Sequence, residues 1–205
     1  MATPSRFSPN SPTMVGAFVF LTGFSMMAFE ILAARLVAPF LGSSLYTWTA
    51  IIGSILLGII LGAPLGGWLS DKYRPVRVLG GLFLASGLVS LLAYTIAYAL
   101  GPSFSASNLG MPILAFTFSV LVFFPPALLS GATMPAATRT LLDSLEHTGR
   151  VYGSLGSWNS AGSILGTYLT GFLFQAYFST RLVWFTLALL LVLVGLIQSL
   201  RARRV

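Results

Sequence analysis

Apolar residues fill six stretches of this chain, at Met14–Ala38, Leu45–Leu69, Val78–Leu100, Met111–Ser130, Tyr152–Ala176 and Leu182–Leu200. Each is close to the ~20 residues that a helix needs to cross ~30 Å of hydrocarbon. Polar and charged positions gather in the short segments between them. The pattern predicts an all-α integral membrane protein of six transmembrane helices, with one membrane domain over residues 14–200. Ahead of it, residues 1–13 are rich in Pro and Ser, with too little apolar surface to offset the entropy of ordering, and are expected as a disordered cytoplasmic arm. Residues 201–205 read as a basic cytoplasmic tail. The first span is too long for the core of a cleavable signal, carries Glu30 and Arg35, and is followed by a second span after a short turn, so it is expected to stay.

Composition closes off other classes. With 56% hydrophobic and 7% charged residues among 205, the chain is not a water-soluble globule. It has no cysteine and a single histidine, His147, so disulfides, thiol catalysis, iron–sulfur clusters and the common zinc sites lack ligands, and neither metal nor cofactor is expected. The net charge of +7 does not form a stripe for nucleic acid. It reads as topology instead. With the N-terminus in the cytoplasm, Arg6, Lys72, Arg74, Arg77, Arg139, Arg150, Arg201, Arg203 and Arg204 fall inside, and Arg181 lies in an outer loop. The uncharged loop Gly101–Gly110 fits the outer side. Both termini are then cytoplasmic, and the membrane is expected to be a bacterial inner membrane.

Lipid tails are as apolar as leucine, so helices associate where small residues let backbones approach. Gly58, Gly62 and Gly66 form such a stripe on the second span, and Ser154, Trp158, Gly162, Gly166 and Thr170 form another on the fifth. Plain helix packing is the first reading of both. The two stripes lie on the middle helix of each group of three, and each span contains Gly-Ser-Ile-Leu, at Gly53–Leu56 and Gly162–Leu165. In alternating topology these helices run in opposite directions. That is a 3+3 inverted repeat, the arrangement within one half of a major facilitator transporter.

The inner loops carry further motifs. Gly67-Trp68-Leu69-Ser70-Asp71-Lys72 resembles the start of the major facilitator signature between helices two and three, although Arg74-Pro75-Val76 departs from its continuation. Asp71 is expected to pair with Arg139 or Arg150, a structural or gating contact. Pro125-Pro126 should bend or end the fourth helix. Beyond it, Thr133 is expected to cap an interfacial helix in which Arg139 and Asp143 share a face away from Leu141, Leu142 and Leu145. That helix serves either as a connection or as a docking surface for a cytoplasmic partner.

Glu30 is the one acid within a span. A central acidic charge costs ~2.5–3.5 kcal/mol on insertion scales, so it should face protein or water. Arg35 lies about 140° around the helix from it, which disfavours a simple intrahelical pair and leaves snorkelling or a pair across a bend open. A buried carboxylate suits a cationic amine or a proton relay, and Trp48, Tyr46, Tyr94 and Tyr98 offer cation–π faces near the outer side. Membrane-interface anchoring explains the same aromatics. Glu30, Arg35, Trp48, Tyr94 and Tyr98 are therefore the candidate ligand-binding residues.

Gly23-Phe24, Phe29-Glu30, Arg35, Pro39-Phe40-Leu41-Gly42-Ser43-Ser44 and Tyr46-Thr47-Trp48-Thr49 resemble the first helices of membrane-bound spermidine synthase-like proteins. A later marker agrees, in Ser130-Gly131-Ala132-Thr133-Met134-Pro135, Gly149-Arg150-Val151-Tyr152-Gly153 and Asn159-Ser160-Ala161-Gly162. The resemblance implies a transporter-like membrane region of the kind those proteins join to a soluble aminopropyltransferase. No glycine-rich nucleotide loop follows a soluble strand here, so polyamine synthesis is not carried over. The expected function is a non-catalytic membrane module that binds a partner protein or a small, cationic ligand. The expected partners, besides the bilayer, are another membrane subunit, a second copy or a soluble transferase. A structural accessory subunit and a half-transporter working as a dimer are the alternatives.

Overall fold

A computed structural model describes residues 11–142 and 148–202. Arg6, Asp143, Leu145, His147, Arg203 and Arg204 lie outside the described residues, as do most of the expected arm and tail. The described chain is helical throughout: α1 Pro12–Leu41, α2 Leu45–Lys72, α3 Pro75–Ser105, α4 Met111–Gly131, α5 Thr133–Leu141, α6 Thr148–Tyr168, a π-helical segment Leu169–Phe174, α7 Gln175–Tyr177 and α8 Thr180–Arg201. Helix starts follow local chemistry. Ser11, Ser44 and Ser179 each accept the backbone amide three residues on through Oγ, at 3.4, 3.2 and 3.3 Å, which satisfies donors that a helix start leaves free. Gly42, at φ +70°, turns the chain from α1 into α2 in a conformation that L side chains avoid.

Among the described residues, five helical stretches are long and apolar enough to cross a membrane, including Met111–Leu141, which joins α4 and α5. Three expectations change here. Of the bend or end expected at the prolines, the end does not occur, since Pro125 and Pro126 both lie inside α4. Nor does α5 lie free at the interface. Its small residues Ala136 and Ala137 are fully buried, and it packs on α1, α2 and α3 as the last turns of the fourth span. Thr133 is not its cap either, because its hydroxyl donates to the Ser130 carbonyl at 2.6 Å. The sixth crossing is α6 with its π-helical segment and α7. It is glycine- and serine-rich, and its ~30 residues span about 45 Å, enough to cross.

Helix pairs meet where a side chain would not fit. A Cβ on Gly58 would stand 2.7 Å from that of Ala127, and Gly62 and Gly66 lie against the carbonyls of Leu128 and Ala132, so α2 runs parallel to α4. Gly162 and Gly166 lie in the same way against the carbonyls of Phe20 and Phe24, so α6 runs parallel to α1. Helices α3 and α8 run antiparallel, with Gly80 beside Ser199, Gly87 beside Ala188 and Gly195 beside Leu84. These are the three main helix pairs of the bundle. Exchanging spans one, two and three for four, five and six maps the first pair onto the second and the third onto itself, with every direction consistent. The fold is a six-helix membrane bundle built as a 3+3 inverted repeat.

The register of that repeat is a constant 104 residues, which separates Gly58 from Gly162, Gly62 from Gly166, Phe20 from Phe124 and Phe24 from Leu128. The sequence repeats in the same register: Gly58, Ile60, Leu61, Gly62, Leu65, Gly67, Leu69, Tyr73 and Arg77 recur as Gly162, Ile164, Leu165, Gly166, Leu169, Gly171, Leu173, Tyr177 and Arg181. The Gly-Ser-Ile-Leu match is out of register and is not part of it. Gly53 faces open space, whereas Gly162 sits in the seam. At the third seam position Gly66 is replaced by Thr170, and there the α-helix widens into the π-helical segment. A β-branched side chain cannot take the place of a glycine pressed on a carbonyl, so the backbone is pushed outward.

Candidate functional site

Inside the bundle the helices converge on Trp184, which is 1% exposed and donates from Nε1 to the Ser90 carbonyl at 2.8 Å, tying α8 to α3. Phe29, Tyr94 and Phe123 ring it, at centroid distances of 4.7, 6.1 and 6.4 Å. Below this cluster Ser86 and Ser130 meet at 3.2 Å between α3 and α4. A cavity of about 30 Å³ lies among Met26, Phe29, Ser90, Pro126, Ser130 and Trp184. That is room for a water and not for an organic ligand. Pro125 and Pro126 also leave the carbonyls of Leu121 and Val122 without their usual amide donors nearby. This cavity offers no room for a solute, whereas the half-buried and exposed candidate residues Glu30, Arg35, Trp48 and Tyr98 lie on faces of the bundle.

The sequence-predicted residues are distributed as follows. Glu30 is half-buried on α1, and Met27 and Ala34, three residues before and four after it, are half-buried on the same side. This side is left partly uncovered by the bundle. Arg35 does not pair with Glu30; its Nη1 donates to the Gln175 carbonyl at 2.7 Å, and Gln175 Nε2 returns a bond to the Ile31 carbonyl at 3.1 Å. Tyr94 is buried and stacks on Tyr98 at 4.9 Å, with Phe185 at 5.1 Å on its edge, so its ring is enclosed by other aromatics. Tyr98 is half-exposed and meets Phe40 edge-on at 5.5 Å. Trp48 and Tyr46 stand exposed on α2, apart from that group. The structure brings Tyr94 and Tyr98 together, without Trp48.

At the opposite end of the bundle, Arg139 Nε lies 3.4 Å from Asp71 Oδ1, joining α5 to the end of α2. Both side chains are largely exposed, so the pair contributes ~0–1 kcal/mol. Arg150 is exposed at the start of α6. Lys72 sits over the rings of Trp68 and Tyr73, at 5.0 and 5.6 Å. Arg77 donates to the Ala202 carbonyl at 3.3 Å, and Arg201 reaches the Met14 sulfur at 3.9 Å, which places both described chain ends at this end of the bundle. Among the described residues no group of His, Asp and Glu side chains is arranged to hold a metal ion.

The Major Facilitator Superfamily model matches residues 7–204, nearly the whole sequence. The chain belongs to the Major Facilitator Superfamily. The inverted repeat and the parallel glycine seams are the architecture of that transporter family. No curated protein and no solved structure matches the chain. The superfamily match extends to the membrane helices alone and does not carry the likeness to spermidine synthase-like proteins. Trp184, Ser90 and Gln175 were not singled out from sequence, and Thr170 was read only as a member of the small-residue stripe. Reading the 104-residue repeat would have found Thr170 and Gln175, which replace Gly66 and Asp71 in the second copy.

Proposed function

We propose that this chain is a transporter-like half of major facilitator type, which works against a second six-helix body to enclose a path for a small cationic solute. What supports the reading is one contrast: two inverted three-helix repeats stand ready to rock against a partner, while the cavity beside Trp184 at the centre of the bundle has about 30 Å³, room for a water alone. The site then belongs to the face that the partner completes. Glu30 marks that face, since a carboxylate within a span is favourable only beside protein or water, and the bundle leaves its side of α1 partly uncovered. The likeness to spermidine synthase-like proteins favours an amine as the solute. The basic end, with Lys72, Arg74, Arg77, Arg139, Arg150 and Arg201, is the cytoplasmic one, against Arg35 and Arg181 at the other end. Both termini then face the cytoplasm.

The test combines native mass measurement of the purified complex with uptake of labelled spermidine into proteoliposomes. A homodimer, or a complex with one further membrane half, that takes up the amine and loses uptake in Glu30→Gln at unchanged assembly supports the reading. A monomer without uptake, or uptake indifferent to Glu30→Gln, overturns it. Recovery with several unrelated membrane chains and no uptake also overturns it and assigns a structural accessory role.

A further inference from the structure

The 104-residue register relates more than the glycine seams. It carries Arg35 onto Arg139 and Asp71 onto Gln175. The two contacts that hold span ends together at opposite ends of the bundle, Arg139 with Asp71 and Arg35 with Gln175, are therefore the same contact in inverted copies. We propose that Arg35 and Gln175 form an outer latch on the fifth span, hinged on the π-helical segment that Thr170 opens.

The chemistry of the second copy differs in a way that fits this role. Glutamine in place of Asp71 removes the opposing carboxylate, and the guanidinium turns to the main-chain carbonyl of Gln175, 2.7 Å from Nη1. That carbonyl lies in the last turn of the span, where carbonyls lack amide partners and the helix dipole favours a cation. The Gln175 amide closes the ring by donating to Ile31 at 3.1 Å. Together these two bonds clasp α7 to α1.

The clasp joins the packing of Phe174 on Phe24 in restraining that end. Beyond the glycine seam, Thr170 forces the π-helical segment, and its buried Oγ1 has no hydrogen-bond partner. On the other side a groove of about 350 Å³, lined by Phe24, Phe174, Phe178, Leu182, Thr186 and Leu190, separates the end of the span from α8. Converting the π-helical segment to α-helix takes up one residue, a turn of roughly 100° and a rise of about 1.5 Å for everything beyond it. That turn carries Gln175 away from Arg35. The span end is thus bistable, with one state latched and wide, the other released and regular. The latch deepens the transport reading, which supplies its use, but its existence is a matter of distances alone.

The chain has no cysteine, so paired spin labels can be placed cleanly. One pair, Tyr46→Cys with Tyr177→Cys, reports the outer end. The register-equivalent pair, Arg150→Cys with Tyr73→Cys, reports the inner end. In lipid nanodiscs, Arg35→Ala is expected to add a second, displaced distance peak to the outer pair and leave the inner pair unchanged. Arg35→Lys, which keeps a donor, is expected to retain the single peak. Thr170→Gly is expected to give the displaced peak with Arg35 still present. An outer pair unmoved by Arg35→Ala, or both pairs broadening together, overturns the latch. Solute uptake is not read here, so failure of the latch leaves the transport reading standing, and failure of uptake leaves the latch standing.

Discussion

Replacing Gly62 by Ala puts a single carbon where the seam has no room. The new Cβ would fall on the Leu128 carbonyl oxygen and lie 2.9 Å from its carbon and 3.1 Å from the Ala132 amide nitrogen. All three are backbone atoms of α4, so no rotamer relieves the overlap. Helix α2 must retreat by about 1 Å, which forfeits a quarter to a half of the dispersion energy of each contact it opens. Overpacking of this kind costs ~1–3 kcal/mol, against which the better helix propensity of alanine returns at most ~1 kcal/mol. Gly67 is the control, because a Cβ there meets nothing within 4 Å and only the propensity gain remains. The repeat extends the comparison: Gly166→Ala should lose stability like Gly62→Ala, and Gly171→Ala should behave like Gly67→Ala. Thermal unfolding in detergent, followed by tryptophan fluorescence, should separate the two classes by roughly 2–12 °C for a chain of this size. If Gly62→Ala melts with Gly67→Ala, the helices are not held by close backbone approach and the seam argument is wrong.

Trp184→Phe removes the indole bond to the Ser90 carbonyl, which keeps its place in the α3 ladder, and the lost bond should destabilise by about 0.5–1.5 kcal/mol, read in the same melts. Asp71→Asn and Arg139→Ala should each change stability by under ~1 kcal/mol, and what difference there is should shrink as salt is raised. Trp48→Ala should leave the melting temperature unchanged within error, because the side chain is exposed and lies outside the aromatic cluster. A large loss there would mean that α2 buries this face in the isolated chain.

Six spans were legible because hydrophobic length is a local property, and the glycine stripes were legible because small residues four apart share a helical face. The register of the repeat was not, since Gly-Ser-Ile-Leu is a contiguous match, whereas the packing repeat is scattered at irregular intervals from Gly58 to Arg77. Residues Thr133–Leu141 read as a separate surface helix because a double proline precedes them. In the bundle the tertiary contacts of α4 outweigh the two lost amide donors, and the span runs on. The π-helical segment could not be read at Thr170, because the strain arises only once α1 is pressed against that helix. For Arg35 the sequence left snorkelling or a pair with Glu30 across a bend open, and its partner is a carbonyl 140 residues away, which no local pattern reveals. Glu30 stood out in the sequence because a lone carboxylate within a span is conspicuous by cost alone, and its role rests on the proposal above.

The central claim, that the second three helices repeat the first upside down, is tested most directly at Tyr73 and Tyr177. They are the same residue in the same register and both are exposed, at 53% and 77%. Each is changed to cysteine singly, and intact cells are treated with a membrane-impermeant maleimide. Tyr177→Cys should react at once and Tyr73→Cys only after permeabilisation. Reaction of both from the same side would contradict the inverted repeat.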